Sequence, residues 1–142
     1  MLERKEHLVM FKKNDNGTAI AVSLLQLKNG HSDFSIYLIG FQNRNNKKIG
    51  KCCTVISVNN STEELTMKIY DTKILDEYQG NHYGEMLVDE VFKYAKAIGV
   101  KKITGERSCF DTSTEDELNR WNAFWIVHYK CTSTHMGFYK IL

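Results

Sequence analysis

The sequence predicts a mixed α/β domain, and three observations carry that prediction. The first half alternates β-branched and aromatic runs with Asn- and Gly-rich turns. At Gly84 the apolar pattern switches to a helical period, and beyond the helix the order is strand, helix, strand. No internal repeat, low-complexity tract or linker interrupts residues 1–142, so one domain is expected, long enough to bury a real core.

The chain contains no Pro, so Asn and Gly mark its breaks. Asn14-Asp15-Asn16-Gly17, Asn29-Gly30, Asn43 to Asn46 and Asn59-Asn60-Ser61 are turn clusters. They separate strand-like runs at His7–Lys12, Thr18–Leu27, Phe34–Phe41, Ile49–Val58 and Leu65–Leu75, which read as an antiparallel meander. Thr18 to Lys28 also fits a helix, with Ile20, Leu24 and Leu27 as its stripe, Thr18 as N-cap and Gly30 just past its end. A strand is the reading adopted, with the helix as the alternative.

From Gly84 to Ile98, Leu87, Val88, Val91, Phe92, Ala95 and Ile98 recur at steps of three and four, an amphipathic helix with Gly99 placed as its C-terminal cap. Lys101 to Glu106 then reads as a strand. Asp111 to Thr114 offers N-caps for a second helix, whose first turn carries Glu115, Asp116 and Glu117 and which extends to about Tyr129. Thr134 to Leu142 closes as a strand.

Composition narrows the function. A net charge of +2 argues against a dedicated nucleic-acid binder. No run approaches the ~18 apolar residues of a membrane span, and the charged start Met1-Leu2-Glu3-Arg4-Lys5-Glu6 leads into no apolar signal region. Cys52, Cys53, Cys109 and Cys131 form no CxxC pair. Reduced thiols, a cytoplasmic location and no metal are therefore expected.

The chemistry concentrates where the fifth strand meets the first helix, at Lys73-Ile74-Leu75-Asp76-Glu77-Tyr78-Gln79-Gly80-Asn81-His82-Tyr83-Gly84-Glu85-Met86-Leu87. A Gly-bearing turn running straight into a helix aims free N–H groups and the positive end of the helix dipole at one point, which suits a phosphate or pyrophosphate. Gly80 and Gly84 as plain turn and packing residues is the competing reading.

Asp76 to Gly84, followed by Met86-Leu87, resembles the acetyl-CoA signature Gln/Arg-x-x-Gly-x-Gly/Ala of the GNAT superfamily of N-acetyltransferases. The resemblance continues through the strand Lys101–Glu106 and the segment Glu115 to Trp125. It implies a twisted, mostly antiparallel sheet with one helix after the cofactor turn and a second towards the C-terminus. Two departures are visible: His82 stands at the first signature Gly, and Trp125 stands where many members carry a Tyr general acid.

Carried across by position, the resemblance implies that Thr72, Lys73 and Ile74 offer backbone groups to the pantetheine arm. Gly80, Asn81, His82, Tyr83, Gly84 and Glu85 would hold the pyrophosphate of acetyl-CoA through main-chain N–H groups. Lys73 reads equally as a solvated strand residue. An amine, small-molecule or peptide, would attack the thioester with Glu106 as base, unless Glu106 is an ordinary surface charge paired with Arg107 or a nearby Lys; Asp71 and Glu64 are the reserves. Tyr129 is the candidate proton donor to the leaving thiolate, with Tyr83 beside it, although each also reads as a packing residue. Alternatives are a non-catalytic CoA-binding sensor or assembly module of the same fold, and a cofactor-free protein-interaction domain. The short interval after the first strand favours hairpins over the helices that usually wall the acceptor pocket, so a homodimer with the acceptor channel near its interface is expected.

Overall fold

Backbone chirality settles the early hairpins. Asn29 and Gly30 both have positive φ, 60° and 77°, as a two-residue type I′ turn requires to match the twist of the strands it joins. The Leu27 N–H donates to the His31 carbonyl at 2.8 Å, closing β2 (Thr18–Gln26) onto β3 (His31–Gly40). Thr18 to Gln26 is therefore strand, and the helical alternative falls. Gly17, at φ 79°, turns β1 (Glu6–Lys13) into β2. The computed structural model describes residues 6–41, 45–107 and 114–142. Cys109, Asn43 and the N-cap candidates Asp111 to Ser113 lie outside them.

β4 (Asn45–Val58) and β5 (Leu65–Ile74) complete the meander. A single 3-10 turn at Asp76–Tyr78 leads into α1 (Tyr83–Ala97), β6 (Val100–Glu106) and α2 (Glu115–Trp121). β7 (Thr132–Ser133) and β8 (Gly137–Ile141) form a closing hairpin in place of one continuous strand, because Thr134 N–H turns back to the Gly137 carbonyl at 2.8 Å. The eight strands make one sheet in the order β1-β2-β3-β4-β5-β6-β8-β7. Among the described strands only β5 and β6 pair in parallel, because α1 is the crossover between them and a crossover returns the chain in the same direction.

The second helix is shorter than its sequence pattern suggests. Thr114 caps it, accepting the Glu117 N–H on Oγ1 at 3.1 Å. α2 then gives way to a π-helical segment, Asn122–His128, in which the Tyr129 N–H donates to the Phe124 carbonyl at 3.2 Å. The wider turn swings Trp125 onto the Phe138 ring, with centroids 4.4 Å apart and near-parallel planes, and Tyr129 onto Phe92 of α1. Aromatic packing therefore overrides the α-helical register here.

α1 buries Leu87, Val88 and Val91 completely, each contributing about 1.5–3 kcal/mol of apolar burial. They join Ile20, Val22, Phe34, Ile36, Met67 and Ile103 from the sheet and Trp121, Trp125 and Phe138 from the C-terminal elements in one core. Gly99, at φ 87°, ends the helix. Among the described residues both helices lie on this face. The opposite face carries no helix among the described residues; Ala19, Ala21, Ser35 and Cys53 are buried there, and Asp33, Lys51, Asp71, Lys68, Lys102, Thr104 and Glu106 lie on the same face.

Candidate functional site

The site begins where two strands part. β5 and β6 pair from Leu65↔Val100 to Ile69↔Gly105 and no further. At that point β5 bulges: Ile69 faces Thr54 and Asp71 faces Cys53, which leaves Tyr70 as the extra residue. A bulge bends its strand and strengthens the local twist. β5 continues beside β4 to Ile74↔Gly50, so among the described residues its other edge is unpaired from Tyr70 onward.

Strand alternation decides which backbone groups face the gap. The Leu75 N–H donates to the Ile49 carbonyl of β4 at 2.9 Å. Successive residues turn to opposite edges, so Lys73 also faces β4 while Thr72 and Ile74 face the opening. The Ile74 carbonyl accepts Gln79 Nε2 at 3.0 Å. The Thr72 N–H, the Thr72 carbonyl and the Ile74 N–H remain directed into the gap. Of the three strand residues Thr72, Lys73 and Ile74, two face the gap. Lys73 is turned away because its main chain is committed to the ladder with β4.

Gln79 also reaches Asp76 Oδ1 at 3.2 Å, and Asn81 Nδ2 reaches the Tyr78 carbonyl at 3.2 Å. These side-chain bonds hold the turn shut from within. Gly80 adopts φ 84° and His82 adopts φ 63°, ψ 16°, at the N-cap of α1. His82 thus occupies a left-handed conformation that Gly takes freely and a side-chain-bearing residue takes at about 1–2 kcal/mol. The side chain at His82 is accommodated in the turn at the expense of local strain. The first helical bond runs from the Met86 N–H to the His82 carbonyl. The N–H groups of Tyr83, Gly84 and Glu85 therefore have no carbonyl within the helix to meet.

Gly84 joins the two halves of the site. A Cβ placed there would lie 3.8 Å from Ile74 Cγ1 and 3.5 Å from Phe124 Cε2. The helix N-terminus and the end of β5 are thus in van der Waals reach, with the Phe124 ring as inner wall. The Glu85 carboxylate lies 3.3 Å from His82 Nδ1 and 4.0 Å from His128 Nε2. Its side chain is drawn towards two imidazoles, so only its N–H belongs to the cradle.

Glu106 ends β6 on the face opposite the helices, 66% exposed, with Oε1 2.8 Å from Lys68 Nζ. It stands at the mouth of the split, one residue beyond the last β5–β6 pair, and its ion pair is with Lys68, not Arg107. Asp71 sits across the gap, paired with Lys51 at 3.1 Å. Glu64 precedes β5 at the other end of the strand, about 20 Å of extended chain from the split at Tyr70, too far to serve. Tyr129 is buried, and its hydroxyl donates to Asp89 Oδ1 at 2.9 Å, with the Glu85 carbonyl at 3.1 Å. Burial and the Asp89 carboxylate push its pKa up. The structure thus uses Tyr129 to tie the π-helical segment to α1, with its proton already engaged, which counters the proton-donor role. Trp125 is buried and stacked on Phe138.

The three described thiols are poorly placed for chemistry. Cys52 is fully enclosed, and burial pushes its pKa up to about 12; Cys53 and Cys131 are pushed up to about 11. All three are free, and a protonated buried thiol is a poor nucleophile and ligand. Among the described residues no cluster of His, Cys, Asp or Glu could hold a metal, and no helix is long and apolar enough to cross a membrane.

Two contributors were not assigned from the sequence. Gln79 was visible in the motif, but its bond to the end of β5 was not. Lys47, from β4, pairs with Glu77 at 3.1 Å and lies 5.1 Å from the centre of the Tyr78 ring, which puts a cation beside the turn. Only a pairing between distant strands brings it there.

No protein-family model matches the sequence, and no curated protein is similar to it in sequence. Similarity appears in three dimensions. An aminoglycoside acetyltransferase from an uncultured soil metagenomic sample, in complex with trehalose, superposes with a TM-score of 0.59 at 15% identity, over 81% of this chain and 68% of that one. A Trypanosoma brucei acetyltransferase gives 0.55 at 14% identity, over 77% and 68%. Glucosamine-6-phosphate N-acetyltransferase from Arabidopsis thaliana gives 0.56 at 13% identity, over 77% of this chain and 65% of that one. The likeness is one of fold: the chain has the GNAT fold that these acetyltransferases share.

Proposed function

We propose that this protein is an acetyl-CoA-dependent N-acetyltransferase. One observation carries the reading: the unpaired edge of β5 and the N-terminus of α1 converge at Gly84. Thr72 and Ile74 would pair with the amides of pantetheine as a strand pairs with its neighbour. The N–H groups of Tyr83, Gly84 and Glu85, with the dipole behind them, would hold the pyrophosphate. Gly80, Asn81 and His82 shape that cradle. The thioester would then lie at the split, beside Glu106. The acceptor amine attacks the thioester carbonyl carbon, Glu106 takes an amine proton directly or through water, and the C–S bond breaks to release CoA. Because a thiol has a pKa near 8.5, the thiolate leaves without a dedicated acid. Tyr83, at the start of α1, is the remaining donor candidate.

The engagement of Tyr129 with Asp89, and of Trp125 with Phe138, supports a second reading: a non-catalytic CoA-binding module. Incubation with acetyl-CoA and a pool of amines and peptides, read by mass spectrometry, separates the two. Acetylated products favour the enzyme; binding without any product sinks it. The buried, unpaired thiols support a cytoplasmic setting. Edge strand β1, with its exposed Leu8 and Phe11, supports a homodimer, which sedimentation reads directly.

A further inference from the structure

The face opposite the helices holds, beside the split, a cavity of about 320 Å³ lined by Lys68, Lys102, Thr104, Glu106, Met136 and Tyr139, among others. The register explains how it is built. Lys68 of β5 faces Thr104 of β6, which faces Tyr139 of β8, so these three make one row across the sheet. Glu106 and Lys102 lie two residues either side of Thr104, each about 7 Å along the same face. Lys68 is held by Glu106 at 2.8 Å, and the Lys102 ammonium lies 5.1 Å from the centre of the Tyr139 ring. The cavity thus joins one carboxylate to two ammonium groups, with a hydroxyl between them.

Resting on the transferase reading, we infer that this cavity is the acceptor site, and that it takes a primary amine bearing a phosphate or carboxylate. The Lys68–Glu106 pair supplies the template. An ammonium replaces Lys68 at Glu106, and an acid group replaces Glu106 at Lys68, so neither protein charge loses its partner. Lys102 adds a second cation within reach of that acid group, and Thr104 a hydroxyl. The excess of cations over carboxylates disfavours an amine with no acid group, whose binding would leave Lys68 unpaired.

The test compares O-phosphoethanolamine with ethanolamine, and 4-aminobutyrate with butylamine. Binding is followed without cofactor through the amide signals of Thr104 and Tyr139, and turnover separately with acetyl-CoA. Each acid-bearing amine is expected to bind at least tenfold more tightly than its plain partner, and Lys102→Glu to abolish that preference. The stronger member of the two acid-bearing compounds identifies phosphate or carboxylate as the group preferred. Equal binding of acid-bearing and plain amines, or a preference that survives Lys102→Glu, overturns the inference, and acetylation of ethanolamine in that case leaves the transferase reading intact. Selective binding with no acetyl transfer to any amine leaves the ligand class standing and overturns the transferase reading instead.

Discussion

Replacing Gly84 separates the cofactor cradle from the fold. A Cβ at this position meets Phe124 and Ile74 at 3.5 Å and 3.8 Å, ordinary van der Waals contact, and the backbone is helical. Gly84→Ala is therefore expected to fold normally. Gly84→Glu adds a carboxylate where the pyrophosphate would approach the N–H groups, and both bulk and like charge oppose binding. At acetyl-CoA a hundredfold above its Kd, the native protein should gain about 2.7 kcal/mol by mass action. With an unfolding entropy of about 2.1 cal/mol/K per residue, 142 residues give about 0.3 kcal/mol/K, so the melting temperature should rise by about 9 °C. Differential scanning fluorimetry with and without acetyl-CoA reads this directly. Gly84→Ala should keep most of the shift and Gly84→Glu should lose it. A Gly84→Glu protein that melts normally and shifts as far as the native one would refute the assignment of the cradle.

Other expectations follow from named contacts. Glu106→Gln should lower turnover about 10²–10⁴-fold at neutral pH and recover in part at alkaline pH, where free amine is abundant; an unchanged pH–rate profile makes Glu106 merely the partner of Lys68. His82→Gly relieves the left-handed strain at the head of α1 and should change stability by less than about 1 kcal/mol, the gain offset by chain entropy; a loss above 2 kcal/mol in denaturant unfolding would mean that the imidazole holds the turn. Gly105→Ala would drive a Cβ to 2.2 Å from Phe138 Cε1, and because that ring is stacked on Trp125 it should destabilise by about 1–3 kcal/mol. The Cys52 thiol, raised by burial from 9.0 to about 12, contributes stability that is complete below pH 9 and is lost as pH rises towards 12, because the unfolded state releases the proton first. That amounts to about 1.4 kcal/mol per pH unit across the window. Cys52→Ala should flatten its share of the slope in urea titrations at pH 8 and pH 10.5, and an equally steep loss in that variant contradicts the assignment.

Local chemistry was legible in the sequence, and long-range geometry was not. Asn29-Gly30 specifies its own turn, and the stripe from Leu87 to Ala95 specifies a helix, because both depend on neighbours within a few residues. The strand at Thr18 was ambiguous because its apolar residues fit two periods, and only pairing with β1 and β3 decides between them. The turn from Gln79 to Gly84 was visible as a candidate anion site, yet the edge facing the site was not. That edge depends on a bulge at Tyr70 and on the Leu75 bond to Ile49. The partners of Trp125 and Tyr129 were hidden for a similar reason, although their packing was legible. Helical spacing predicts a stripe, whereas contacts with Phe92, Asp89 and Phe138 widen the turn and commit both side chains to packing.

The central claim is that acetyl-CoA lies between the free edge of β5 and the head of α1, and residue-resolved amide hydrogen exchange tests it most directly. Saturating acetyl-CoA should slow exchange at Thr72, Ile74, Tyr83, Gly84 and Glu85, whose N–H groups face no partner among the described residues. Lys73, already turned to β4, should change little. Unaltered exchange at those five amides under saturating acetyl-CoA, or protection confined to another part of the sheet, would contradict the account.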